Sequence, residues 1–308
     1  MTKPERLMHG IGLWPACLLL LVAAVTASGA DSASFNGGRA FEDLKHLVAF
    51  GPRPAGSPAL AAARHWITAQ LRDAGAQVEA DSFIASTPLG TVPMTNLIAK
   101  FPGAQSKVLI VAGHYDTKLE GAFRFVGAND GGSSAALLLE LARAVAGRKH
   151  ALTYWLVFLD GEEAVRQWTD TDSLYGSRHL VQTLTAEGEL GRIQGMILVD
   201  MIGDAQLDIH RESNSTAWLT DMLFSAARRL GYAKYFLDSP ISIEDDHIPF
   251  VNAGVAAADL IDYNYGPDNS YWHTEKDTVE HCSPLSLTIV GRVVLAALSD
   301  LEKSPPSK

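Results

Sequence analysis

The chain has 308 residues, 47% of them hydrophobic and 19% charged, which is enough apolar material for one large core or two small ones and excludes a disordered chain. Its formal charge of −10 excludes the basic surface that nucleic-acid phosphates require, and otherwise speaks only for solubility. Of two cysteines, Cys17 falls in an apolar leader and Cys282 stands far from it, so a chain without the leader has no disulfide and no cysteine-based zinc site.

Lys3 and Arg6 precede an apolar run over 11–25, and small residues through Ala27 and Ala30 follow it, the three-part pattern of a secretory signal. The competing reading is a retained anchor, but a run of about 15 residues falls short of the roughly 20 that a membrane span needs. Cys17 sits at the front of the run, away from the cleavage end, which argues against a lipid-anchored cysteine. The expected organisation is a removed leader over 1–30, one catalytic domain over 31–303 and a Pro/Ser/Lys-rich tail over 304–308, in a secreted or periplasmic protein with no membrane attachment after cleavage.

Helical spacing is expected over 41–50 and 61–74, separated by residues 51–58, whose three prolines and two glycines disfavour regular structure. Residues 77–85 and 96–101 read as strands. The runs 107–112 and 152–159 are continuous, apolar, β-branched and aromatic, the pattern of strands covered on both faces. Residues 133–146 between them read as a helix, 195–201 and 254–261 as further buried strands, and 217–230 and 286–301 as helices. This alternation predicts an α/β fold of three layers, α/β/α, around a mostly parallel, mixed sheet.

Ligands of such sheets bind beyond the carboxyl ends of the strands, and the polar residues fall there. His114 and Asp116 end one strand, either as a metal ligand with its orienting partner or as a hydrogen-bonded loop. Asp130 precedes a helix, as a cap or a ligand. Glu162 and Glu163 follow the strand 152–159, where adjacent carboxylates repel unless a cation or a shared proton relieves them; the alternative is a solvated turn. Asp200 lies in an apolar strand and needs a partner. Asp245, Asp246 and His247, then Trp272 and His273, complete the set; His273 alone reads more readily as a core histidine than as a ligand. Together these acids and histidines argue for zinc.

At this point the residues resemble the zinc aminopeptidase clan and, within it, the animal-type glutaminyl cyclases, over about 41–301. Gly127-Ala128-Asn129-Asp130, Asp160-Gly161-Glu162-Glu163-Ala164 and Tyr271-Trp272-His273-Thr274 follow the clan's metal motifs. Trp168, the stretch from Asp172 through Ser173, Leu174, Tyr175 and Gly176 to Leu180, and Asp245-Asp246-His247-Ile248-Pro249-Phe250 resemble cyclase sequence more closely. The resemblance implies one zinc ion on Asp130, Glu163 and His273, Glu162 as proton shuttle, Asp200 and Asp245 as its acidic hydrogen-bond network, and Trp168 and Trp272 as walls of a glutamine pocket. It implies peptide or protein substrates with N-terminal glutamine, an acyltransferase that closes that glutamine to pyroglutamate with loss of ammonia, and a monomer. One departure is Asp259, which stands where the animal cyclases have a histidine, so the network behind the metal must be wired differently.

The rival reading is a two-zinc aminopeptidase, with His114, Asp130 and Asp200 around one ion and Asp130, Glu163 and His273 around the other. Asp245, Trp272 and the segment from Trp168 to Leu180 favour the cyclase. A third reading, a non-catalytic receptor domain, conflicts with a complete set of ligands and base.

Overall fold

A computed structural model describes residues 1–2 and 35–303. The expected leader, beyond its first two residues, and the tail over 304–308 lie outside the described residues.

Two capped helices open the fold. Helix α1 (Gly37–Ala49) starts where the Asn36 side chain accepts a hydrogen bond from the Arg39 amide. Helix α2 (Pro58–Asp73) starts earlier than the expected residue 61, because Ser57 caps it through the Leu60 amide and Pro58 occupies the first position, where no N–H is needed. The last proline of the irregular segment is thus a helix start.

Strands β1 (Gln77–Thr87) and β2 (Gly90–Phe101) form an antiparallel hairpin. The apolar run announces β2 only from residue 96, since residues 90–93 are largely exposed and include Pro93. There follow β3 (Val108–His114), α3 (Ser134–Val145), β4 (Thr153–Leu159), α4 (Tyr175–Ala186) and β5 (Ile193–Asp200). The chain continues through β6 (Ile209–Glu212), α5 (Ala217–Arg229), β7 (Phe236–Ile241), α6 (His247–Asn252), β8 (Ala257–Ile261) and α7 (Pro284–Lys303). The reading from sequence did not contain α4, β6, β7 or α6. Helix α4 begins at Leu174, a left-handed residue at φ 51°, and its first turn of Tyr175, Gly176, Ser177 and Arg178 carries no apolar repeat.

The six-stranded sheet has the order β1-β2-β4-β3-β5-β8; β1, β2 and β4 pair antiparallel, and β4, β3, β5 and β8 pair parallel. Strands β6 and β7 form a separate parallel pair. On one face, Leu109, Val111, Leu156, Phe158, Ile197 and Leu260 pack with α1, α2, α3, α5 and α7. On the other, Ile110, Val157, Met196 and Leu198 pack with Leu180 and Leu184 of α4 and Phe250 of α6. This is the expected three-layer α/β/α arrangement, and it explains why the central strands read as continuous apolar runs: each residue faces one of two cores.

One buried charge ties α3 to α1. Glu140 is fully buried and accepts from the Asn36 amide at 3.0 Å and from Arg39 Nε and Nη2 at 2.6 and 2.7 Å, with Arg143 Nη1 at 3.4 Å. Arg39 is half exposed, so part of this attraction is screened by water. Glu140→Ala is expected to lower the unfolding free energy by about 2 kcal/mol, and Glu140→Gln by less, because the amide keeps the contact with the Asn36 backbone; denaturant titration of both variants measures it.

Candidate active site

The parallel strands β3, β4 and β5 end side by side in His114, in the Asp160 to Glu163 turn and in Asp200. A fourth segment, residues 127–133, returns over these ends before entering α3. Gly131 has φ 76°, and a Cβ there would lie 2.5 Å from the Asp116 carbonyl oxygen and 2.9 Å from His114 Cε1, so only glycine lets the loop descend this far. Asp130 has φ −80° and ψ 105°, outside the helical region, and its carboxylate turns to the strand ends instead of capping α3.

Two ligand groups result. Asp130, Glu163 and His273 present ligand atoms within 4.8 Å of one another, and so do His114, Asp130 and Asp200. In the first group, Asp130 Oδ2 and Glu163 Oε1 lie 3.2 and 3.3 Å from His273 Nε2, and both oxygens are buried without a hydrogen-bond partner. Two orphaned carboxylate oxygens and an imidazole nitrogen converging on one point fit a metal ion. In the second group, His114 Nε2 is 3.1 Å from Asp200 Oδ1, which also accepts from the Met201 amide, and 3.2 Å from Asp130 Oδ1. The facing atoms of that group, His114 Nε2 and Asp200 Oδ1, are thus taken up by each other. The other ring nitrogen of His114, Nδ1, lies 3.5 Å from Asp116 and has no hydrogen-bond partner.

Charge follows this geometry. Burial opposes protonation of His273, but Asp130 and Glu163 outweigh it and push the imidazole up to about 10 in the metal-free protein. Glu162 is held well above the usual carboxyl range by burial, with Glu163, Asp245 and Asp246 adding to it and His114 opposing. Asp245 is raised as well, by burial and then by Asp200 and Asp246. Glu162, Asp200 and Asp245 line one pocket of about 400 Å³ together with Asp130, Glu163 and His273. Within the group expected to form an acidic network, Asp200 Oδ1 turns to His114, Asp245 Oδ1 accepts from the Asp246 amide, and charge couples Asp245 to both Glu162 and Asp200.

Trp168 and Trp272 line the same pocket, as expected. Trp272 stacks on His273 with ring centroids 4.1 Å apart, and His273 itself is left-handed at φ 52°, a conformation that sets its imidazole against Asp130 and Glu163. The Trp168 loop is organised by Asp172, whose carboxylate accepts from the Val165, Arg166 and Gln167 amides at 2.9 Å and from the Tyr175 hydroxyl at 2.8 Å.

Several supporting residues have no chemical signature in the sequence. Asp277 accepts from the Asn129 and Asp130 amides at 2.7 and 3.1 Å and from the Tyr265 hydroxyl, fixing the segment that carries Asp130. Asp116, which the sequence singled out beside His114 and not for this role, does the same for the Glu162 and Glu163 amides. Arg53, fully buried, donates to the carbonyls of Val126 and Gly127 and to that of Gly51. The only hint in the sequence was that each is a charged residue beside glycine, proline or a motif.

A three-layer α/β/α sheet whose parallel strands end in a histidine and carboxylate metal group defines a zinc aminopeptidase-like enzyme. Residues 96–298 match peptidase family M28, and the chain belongs to that family. It is 37% identical over 278 residues to the glutaminyl-peptide cyclotransferase-like protein of Bos taurus, across 80% of this chain and 72% of that protein. The crystal structure of an Acidobacteriales bacterium glutaminyl cyclase superposes with a TM-score of 0.84 at 40% identity, over 87% of this chain and 95% of the other. A Zn-dependent exopeptidase from Parabacteroides distasonis superposes with a TM-score of 0.77 at 28% identity, over 86% and 98%.

Glu163→Gln removes one converging carboxylate, and Asp277→Asn loosens the amides that hold Asp130. Both variants are expected to bind zinc about 10- to 100-fold more weakly than the parent, read as metal retained after dialysis against a graded series of chelators.

Proposed function

We propose that the chain is a zinc-dependent glutaminyl-peptide cyclotransferase, which closes an N-terminal glutamine to pyroglutamate and releases ammonia. The observation that carries this reading is the difference between the two ligand groups. Asp130, Glu163 and His273 leave two orphaned oxygens for one ion, while in the other group the two atoms that would meet an ion, His114 Nε2 and Asp200 Oδ1, are hydrogen-bonded to each other. Relatives named as cyclotransferase and cyclase support the same choice.

In this reading Asp130, Glu163 and His273 hold the zinc, which supplies a Lewis acid for the γ-amide carbonyl of the substrate. Trp168 and Trp272 hold the glutamine side chain so that its α-amine lies against the amide carbon, turning ring closure into a positioned intramolecular step. The bond formed joins amine nitrogen to amide carbon, and the bond broken releases the amide nitrogen. Glu162, whose raised proton affinity suits it to both tasks, takes the proton from the amine and returns it to the leaving nitrogen. Burial keeps that affinity high, Asp245 adds to it with Glu163 and Asp246, and Asp200 raises Asp245 in turn. No water is consumed.

The pattern of residues 3–30 supports an extracytoplasmic setting, and a single domain over 31–303 supplies every proposed site residue, which supports a monomer. The specific observation in favour of a two-zinc aminopeptidase is that His114, Asp130 and Asp200 lie close enough to hold a second ion.

Incubating the protein with zinc and a Gln-initiated or a Leu-initiated peptide separates the two. Loss of ammonia from the first without cleavage supports the cyclase, and free leucine from the second, with two zinc ions retained, overturns it. Glu162→Gln is expected to lower turnover by about 100-fold or more while zinc stays bound, since the amide keeps the shape and cannot carry a proton. Trp272→Ala and Asp172→Ala are expected to raise KM, the first with a parallel fall in kcat, which steady-state kinetics on the Gln peptide reads directly.

A further inference from the structure

Behind the pocket wall lies a group of buried polar residues that the proposed reaction does not use. His247, at the start of α6, is fully buried; its Nε2 is 3.1 Å from Glu212 Oε2 at the end of β6. Its Nδ1 has no hydrogen-bond partner and faces Asp259 Oδ2 of β8 at 3.9 Å. Both Asp259 oxygens are also without a partner, in a residue that is 1% exposed. Glu212 Oε1 accepts from the Asn214 and Ile243 amides. Glu212 therefore grips one end of the segment 243–247 through Ile243 and the other through His247, and that segment carries Ile243, Glu244 and Asp245 into the pocket.

An imidazole nitrogen and a carboxylate that face each other in the dry interior, each lacking any other partner, are compensated only when a proton lies between them. The surroundings reinforce this. Asp259 is faced by Asp245 and Asp246 from the loop before α6, Asp200 from β5, Glu212 from β6 and His247 from α6, acids in every case but the last. Burial first, then Asp245, Asp200, Glu212 and Asp246, raise its proton affinity well above the usual carboxyl range.

We propose that Asp259 is a positioning residue: it shares one proton with His247 Nδ1 and so completes a Glu212–His247–Asp259 chain that fixes the Ile243 to Asp245 wall of the pocket. Asp259 keeps its proton in the folded protein at pH values where the unfolded chain has given it up, near the ordinary carboxyl value, so its contribution to stability is greatest below that value and is lost as pH rises toward the raised folded one. Asp259→Asn has no proton to keep. Its amide donates to Nδ1 permanently and mimics the protonated pair.

The test compares wild type, Asp259→Asn and Asp259→Ala in two assays. Melting temperatures from about pH 5 to 8 are expected to move in favour of Asp259→Asn, relative to wild type, with each step up in pH; a flat difference overturns the proposal. On a Gln-initiated peptide near neutral pH, Asp259→Asn is expected to keep kcat/KM within about threefold of wild type, and Asp259→Ala to lose about tenfold or more, chiefly through KM. Equal damage in both variants, or none in either, overturns the proposal. The second assay rests on the cyclase reading and the first does not: a wild type that fails to cyclise glutamine sinks that reading, while the melting series still decides the role of Asp259. If Asp259→Ala does not fold, the pH series of Asp259→Asn decides alone.

Discussion

The constraint on which the rest of the structure depends is the crowding of carboxyl groups at one end of a dry sheet. Asp116, Asp130, Glu162, Glu163, Asp200, Asp245, Asp246 and Asp259 are all nearly inaccessible to solvent. Like charges at such distances and in such a medium cannot all ionise unpaired. Each therefore finds one of four kinds of relief. Some accept backbone amides, as Asp116 does from the Glu162 and Glu163 turn. Some face an imidazole, as Asp200 and Asp130 face His114. The remainder hold a proton or turn bare oxygens toward a place where a cation fits. The division of labour between Glu162 and Glu163 follows from this sorting: one oxygen of Glu163 points at His273 and Asp130, while Glu162 is left beside other acids with its proton affinity raised.

The fold itself was legible because hydrophobic periodicity is dictated by layers. Strands β3, β4 and β5 are buried on both faces, so their apolar runs have no gaps, and α3 and α7 are apolar nearly all round for the same reason. What escaped was held by polar contacts or lay half exposed. The start of α4 is fixed by Leu174 and Tyr175 amides donating to the Glu162 and Gly161 carbonyls, a tertiary bond with no trace in a window of neighbouring residues. Strand β6 has two buried residues of four, too few to register as an alternation.

The site divides in the same way. Side chains able to hold a metal are restricted to few types, so Asp130, Glu163 and His273 could be named as a group, and their ligand atoms do converge. Residues that hold those ligands in place are chosen for where their oxygens fall after folding. Asp277, 147 residues along the chain from Asp130, and Asp172, which gathers three consecutive amides, had no chemical signature before the fold brought their partners to them. The hydrogen bond from His114 to Asp200 was likewise out of reach of the sequence, since it joins two strands 86 residues apart.

The converging ligands have a mechanical meaning as well. Asp130 and His273 stand at the two ends of nearly half the chain, and Cys282 is the one thiol among the described residues, so no sulfur bridge joins these segments. An ion gripped by both would act as a reversible cross-link: it would close a loop that contains β4, β5 and β8, and would remove from the unfolded chain the freedom that a disulfide over the same span would remove. A metal centre placed in this way would double as the clasp of the sheet that carries it, and exposure to chelation would become exposure to unfolding.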